Sequence, residues 1–153
     1  MVRLERSALM PFTPAQLLAL VQDVPSYPNY MPGCVAALVE SGDGLRTQAG
    51  LRFKFAGIAE SFTTENTVLM HPQGDCALQM QLLRGPFKSL VGQWRFQPLG
   101  DEGCKVSLSV QLDWGAWSLG RLLAPQLDRA VGNVMQAFKQ RADQLYGTAT
   151  ANY

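Results

Sequence analysis

The C-terminal third of the chain carries two apolar periods in succession. Cys104, Val106, Leu108, Val110, Leu112 and Trp114 alternate with Lys105, Ser107, Ser109, Gln111 and Asp113. Period two predicts a strand with one dry and one wet face. The apolar step then lengthens to three or four through Leu123, Leu127, Val131, Val134, Phe138, Ala142 and Leu145. This predicts one stripe on a long helix running to Tyr146, with Asp128, Arg129, Gln136, Lys139 and Asp143 away from it. A curved antiparallel sheet closed by a terminal helix buries both apolar faces, and such an arrangement can enclose a cavity.

Upstream, the pattern predicts a strand over 2–9 and a helix starting at Thr13-Pro14, with Thr as cap and Pro in the first turn. Pro25 and Pro28 break that helix, and residues 26–31 predict one further turn. Strands follow over 35–40, 45–55 and 58–70, then around Cys76–Leu82 and Leu90–Phe96. Asp43-Gly44, Gly57, His71-Pro72, Gly85-Pro86 and residues 98–103 punctuate them. The expected fold class is α+β: six to seven antiparallel strands wrapped on a long C-terminal helix, with two short helices after the first strand. Pro125 cannot donate a helical hydrogen bond, so a kink or a true helix start is expected there, with residues 117–123 as a separate flap.

A length of 153 residues predicts one domain over 1–147, followed by a frayed tail at 148–153. With 47% apolar and 16% charged residues the chain reads as globular, with room for an apolar pocket. A net charge of +1 gives no general attraction to nucleic acid, and DNA is not an expected partner. Cys34, Cys76 and Cys104 have no C-x-x-C spacing and His71 is the single histidine, so no metal site is expected. The odd thiol count suits a reducing compartment, with Cys76 and Cys104 buried as small hydrophobes. Residues 1–10 read as a strand rather than an export signal, and no apolar run is long enough to span a bilayer. The expected location is cytoplasmic, with peripheral contact at the inner membrane.

Four motifs carry a resemblance. They are Val24-Pro25-Ser26-Tyr27-Pro28 with Met31-Pro32-Gly33-Cys34; Phe62-Thr63-Thr64-Glu65-Asn66; Gly85-Pro86-Phe87-Lys88-Ser89-Leu90 with Gly92, Trp94, Phe96 and Pro98; and Met135-Gln136-Ala137-Phe138 with Arg141-Ala142. Together they resemble the RatA-like ribosome association toxin and coenzyme Q-binding protein family, within the START-like, helix-grip superfamily. The resemblance implies a non-catalytic fold that sequesters an apolar ligand. Coenzyme Q-binding members imply ubiquinone and a role in respiration. Toxin members imply binding to the large (50S) ribosomal subunit and a block on 70S formation. A generic polyketide cyclase/dehydrase label also attaches to such relatives, and fold alone does not choose among these.

Residue chemistry favours ligand binding. The dry parity offers Leu51, Phe53, Phe55, Phe62, Leu78, Met80, Leu82, Trp94, Phe96, Leu108, Val110 and Leu112, either as a solid core or as a cavity wall. If Ile58, Phe62, Val68 and Met70 face inward, so do Glu60, Thr64 and Asn66, and buried polar groups need partners. Asn66 with Thr64 is the expected polar handle, unless a β-bulge shifts the parity. Tyr27 and Met31 from the front segment, and Leu127, Val131 and Met135 from the helix, complete the candidate ligand site. Ubiquinone or a similar isoprenoid quinone is the expected ligand, with no required cofactor. Arg46, Arg52, Lys54, Arg95 and Lys105, flanked by Arg84 and Lys88, would form a ribosome-facing basic patch if their strands are neighbours. No nucleophile or acid–base motif is visible, so an enzyme of cyclase/dehydrase type ranks third.

Overall fold

A computed structural model describes residues 2–55, 57–116 and 120–147, without the side chains of 55 and 120–124. Seven strands form one antiparallel sheet: β1 (Val2–Met10), β2 (Cys34–Gly42), β3 (Arg46–Phe55), β4 (Ile58–Met70), β5 (Cys76–Arg84), β6 (Ser89–Leu99) and β7 (Gly103–Asp113). Their order is β1-β7-β6-β5-β4-β3-β2, so the chain meanders from β2 to β7 and β1 pairs beside β7. Helix α1 (Pro14–Gln22), a 3-10 helix (Val24–Asn29) and helix α2 (Gly120–Ala142) complete the fold. No helix among the described residues is long and apolar enough to cross a membrane.

Local chemistry sets the element ends. Thr13 and Gln16 cap α1 reciprocally: the Thr13 hydroxyl accepts from the Gln16 N–H, and the Gln16 side chain accepts from the Thr13 N–H. At the β2–β3 hairpin the Asp43 carboxylate accepts from the Leu45 and Arg46 N–H groups, which holds its pKa below the usual carboxylate value. Helix α2 continues through Pro125 from Gly120. Residues 120–123 therefore belong to α2 rather than to the expected flap, whose residues 117–119 lie outside the described residues, as does the tail at 148–153.

The sheet curls around α2, and the main core lies where the C-terminal half of that helix meets β5, β6 and β7. Phe138 is fully buried, with ring centroids 4.6 Å from Trp94 and 6.2 Å from Phe96. Met135, Ala142, Cys76, Leu78, Cys104 and Val106 fill the space around it, and α1 adds Leu17, Leu20 and Val21. The apolar stripe ends differently from its sequence pattern. A π-helical turn (Asp143–Gly147) widens the last coil by one residue, which exposes Leu145 and turns Tyr146 inward. Tyr146 packs on Phe12 and donates its hydroxyl to the Gln16 carbonyl at 3.0 Å. Met70 and Leu9 are also exposed: Met70 sits at the hairpin end of β4, and the strict alternation of β1 turns Leu9 out and Arg6 in. Arg6 there meets Asp128 of α2 at 2.8 Å and ties the helix to the edge strand.

Bulges shape the other edge. Register slips by one residue at Val35 and at Glu40 in β2, and at Leu83 in β5. The latter two each re-aim a side chain on the outer face. Glu40 reaches across Gly50, where an added Cβ would stand 3.0 Å from its Oε1, and meets Arg84 at 2.9 Å beside the buried Thr63 hydroxyl.

Two outcomes follow from this packing. Phe138→Ala leaves a void between Trp94 and Phe96 and should cost about 3–5 kcal/mol in denaturant unfolding. All three thiols are buried, and burial raises each pKa, that of Cys104 to about 11. The folded state thus keeps protons that the unfolded chain releases from about pH 9 upward, so stability should fall as pH rises past that value. A thiol reagent at neutral pH should label the cysteines only at the rate of unfolding.

Candidate functional site

The N-terminal half of α2 meets the edge strand β1, where Arg6 pairs with Asp128, but stands off the middle of the sheet. Between them lies a cavity of about 260 Å³. Its floor is the inner parity of the sheet: Leu51 and Phe53 of β3, Ile58, Glu60, Phe62 and Thr64 of β4, Met80 of β5, Leu90, Gly92 and Trp94 of β6, and Leu108, Val110 and Leu112 of β7. Leu127, Ala130, Val131 and Val134 of α2 form the roof. Tyr27, Met31, Pro32 and Gly33 close one side, and Phe87 and Trp114 join from the loop ends. The missing side chain at Gly92 keeps the floor low: a Cβ there would stand 2.8 Å from the Met80 methyl.

Aromatic rings run in series along this wall. Phe53 stacks on Phe62 at 5.6 Å, Phe62 meets Phe87 edge-on at 5.8 Å, and Phe87 meets Trp114 at 5.8 Å. Such rings present apolar faces with polarised edges to any planar guest.

The polar groups are few. The Tyr27 hydroxyl donates to the Val21 carbonyl, and burial raises the phenol pKa far above its ordinary value. Thr64, 2% exposed, donates to Asn66 Oδ1 at 2.7 Å. Glu60 has no hydrogen-bond or ion-pair partner among the described residues. Lys54 borders the cavity beside Gly33, whose carbonyl accepts its backbone N–H at 2.8 Å, and its side chain is exposed.

Most of the candidate ligand residues converge here: Tyr27, Met31, Phe53, Phe62, Thr64, Met80, Trp94, Leu127 and Val131 all touch the cavity. Others do not. Leu78, Phe96 and Met135 lie in the solid core beyond Trp94. Leu82, on β5, is off the wall, and Asn66 stands behind Thr64 rather than on the surface of the cavity. The side chain of Phe55 lies outside the described residues. The bulge that sequence reasoning left open occurs on β5 at Leu83, so the inward parity of β4 from Ile58 through Asn66 is unbroken. Ile58, Glu60, Phe87, Leu90, Gly92, Ala130 and Val134 are wall residues beyond the candidate set. Parity marks the strand members among them as inward but does not separate cavity from core.

The basic set does not form one patch. Arg46, Arg52 and Lys54 are on β3, while Arg95 and Lys105 are on β6 and β7, with β4 and β5 between them. Arg95 pairs with Asp75 at 2.8 Å, Arg46 with Glu65 at 3.7 Å, Arg84 with Glu40 at 2.9 Å and Lys88 with Asp113 at 4.0 Å. Arg52 donates to the Ser61 hydroxyl at 3.0 Å. His71 is an exposed turn residue.

Known proteins share this architecture. A family profile described as "Polyketide cyclase / dehydrase and lipid transport" matches residues 10–139. The ribosome association toxin RatA of Pseudomonas aeruginosa is 34% identical over 144 residues, covering 94% of this chain and 97% of that protein. The mitochondrial coenzyme Q-binding protein coq10 of Schizosaccharomyces pombe is 25% identical over 139 residues, covering 89% and 84%. The solution structure of the 18 kDa protein CC1736 from Caulobacter crescentus is 32% identical with a TM-score of 0.74, covering 96% and 99%. Two more distant structures share the fold alone. A START superfamily protein from Mycobacterium smegmatis has a TM-score of 0.77 at 16% identity, covering 94% and 98%. The Zhui aromatase/cyclase from Streptomyces sp. R1128 has 0.79 at 15%, covering 94% of each chain. A curved seven-stranded sheet gripping one long helix, matched by the profile over most of its length, makes this chain a member of the polyketide cyclase/dehydrase and lipid transport family, with RatA proteins among its homologues.

Proposed function

We propose that this protein binds an apolar ligand in the cavity between sheet and α2 without transforming it, and that the ligand is an isoprenoid quinone of the ubiquinone class. The observation that carries this reading is the wall itself: nearly all of its residues are aliphatic or aromatic, and Trp94, Phe53 and Phe62 offer ring faces to a flat guest. Burial of such a guest draws on the apolar area removed from water. The wall holds no nucleophile hydrogen-bonded to a base among the described residues, which favours a carrier over a catalyst. The cavity is smaller than a long polyprenyl chain, so the ring and first tail units would sit inside and the rest would leave between α2 and the front loops. Delivery of the quinone to respiratory enzymes at the membrane is the corresponding role. The coq10 relative supports this ligand class by its name.

A second reading, association with the large ribosomal subunit, is favoured by the names of relatives 33–34% identical over nearly the whole chain. On this chain it would use Arg52 and Lys54, the exposed basic residues of β3 outside the ion pairs described above.

Gly92→Val fills the floor and displaces the Met80 methyl, and should weaken quinone binding by about tenfold or more while the circular dichroism spectrum is kept. Salt separates the two readings. Binding of a short-tailed ubiquinone, measured by tryptophan quenching, should change by less than about twofold between low and high salt. Sedimentation with large ribosomal subunits should instead weaken by about tenfold over a fourfold rise in salt, and should be reduced in Arg52→Glu and Lys54→Glu. Absence of quinone binding in a folded protein would overturn the first reading.

A further inference from the structure

We propose that the cavity selects ligands that donate a hydrogen bond: an apolar or aromatic body bearing a hydroxyl, and, of a quinone and its hydroquinone, the hydroquinone. This rests on the carrier reading above and narrows its ligand. Three described side chains on the wall carry oxygen: Tyr27, Glu60 and Thr64. None has a proton to offer a guest. The Tyr27 hydroxyl proton is committed to the Val21 carbonyl. The Thr64 hydroxyl proton is committed to Asn66 Oδ1 at 2.7 Å. Glu60, as a carboxylate, accepts only, and has no partner among the described residues. The hydroxyl oxygens of Tyr27 and Thr64 keep lone pairs, so each of the three groups can meet a guest only as an acceptor.

The second-layer residue makes this arrangement specific. Asn66 is 5% exposed and lies on the same face of β4, two residues from Thr64. By accepting the Thr64 proton it fixes the hydroxyl rotor, which would otherwise turn to suit either kind of guest. Thr64 and Glu60 are spaced along β4 on the inward parity, and together they make an acceptor strip on an apolar floor.

A carbonyl brought against this strip gains no hydrogen bond and loses those it made to water. A phenol or alcohol hydroxyl gains one, and an acceptor that is a carboxylate strengthens it. The wall's nitrogen donors lie outside the strip. Lys54 presents an exposed side chain, and the indoles of Trp94 and Trp114 each carry a single neutral N–H. The handle therefore differs from the sequence expectation of Asn66 with Thr64: Glu60 joins Thr64 on the wall, and Asn66 acts from behind it.

The test uses two guests of nearly equal size that differ in one proton, 4-pentylphenol and its methyl ether 4-pentylanisole, titrated calorimetrically into the full chain at neutral pH. The phenol should bind about tenfold tighter than the ether, beyond any difference in their partition into octanol. The ratio should shrink in Glu60→Leu and in Thr64→Val, and both variants should keep or improve their affinity for the ether. An anaerobic comparison of a short-tailed ubiquinone with its hydroquinone should show the same order. Equal or tighter binding of the ether by the native chain would overturn the selectivity while leaving the carrier reading standing. Binding of neither guest, nor of either quinone form, would overturn the carrier reading and the selectivity with it.

Discussion

Everything in this structure depends on the place where Phe138 is wedged against Trp94 and Phe96. There the C-terminal half of α2 packs on the middle of the sheet, while β1 meets the helix at the sheet's edge. On the C-terminal side of the contact the helix and sheet are in van der Waals register, and Met135, Ala142, Leu78 and Cys76 leave no room. On the N-terminal side the same helix roofs open space. Trp94 belongs to both regions: it packs on Phe138 with ring centroids 4.6 Å apart and the planes tilted by 35°, and it also faces the cavity. A bulky aromatic at this point props the helix up, so the void is held open by packing rather than by any special wall residue. Arg6 holds the propped half laterally through Asp128, which supports the helix where it has no sheet beneath it.

Much of the fold is written in apolar periods. Alternation locates β3, β4 and β7 to within a residue or two and β6 to within three, because each has one face under a helix or over the cavity. The failures share one cause. Parity distinguishes inward from outward but carries no information on what lies above an inward residue. Phe96 and Phe53 have the same sequence signature, yet one is locked in the core and the other lines the cavity. The same limit separated Arg52 from Arg95: both read as wet-face cations, but sheet order, which no strand pattern encodes, puts two strands between them. At the end of α2 a single extra residue in the turn transferred the inward position from Leu145 to Tyr146, where a strict helical period predicts the reverse.

The two functional readings draw on opposite faces of one sheet. The inner face is largely apolar and aromatic, with Glu60 among its few polar groups; the outer face is lined with glutamine, serine and threonine, and Arg46, Arg84 and Arg95 there pair with carboxylates. Of the two cations a ribosomal surface would use, Arg52 lies on the outer parity away from the cavity, while Lys54 borders its rim. Ligand binding and macromolecular association are therefore separable by mutation, and could have been kept or lost independently among proteins that retain this fold.

The clasp on the outer face has an evolutionary consequence. Glu40, Gly50, Thr63 and Arg84 come from four successive strands, and two bulges and one bare Cα are needed before the carboxylate can reach the guanidinium. No single member confers the arrangement. A lineage that places a side chain at position 50 crowds the carboxylate and removes the reason to keep either bulge. One that loses Glu40 frees Arg84 and strips the edge strand of its tie to the middle of the sheet. The four positions are thus inherited as a set, and their replacement in descendants is expected to be joint rather than piecemeal.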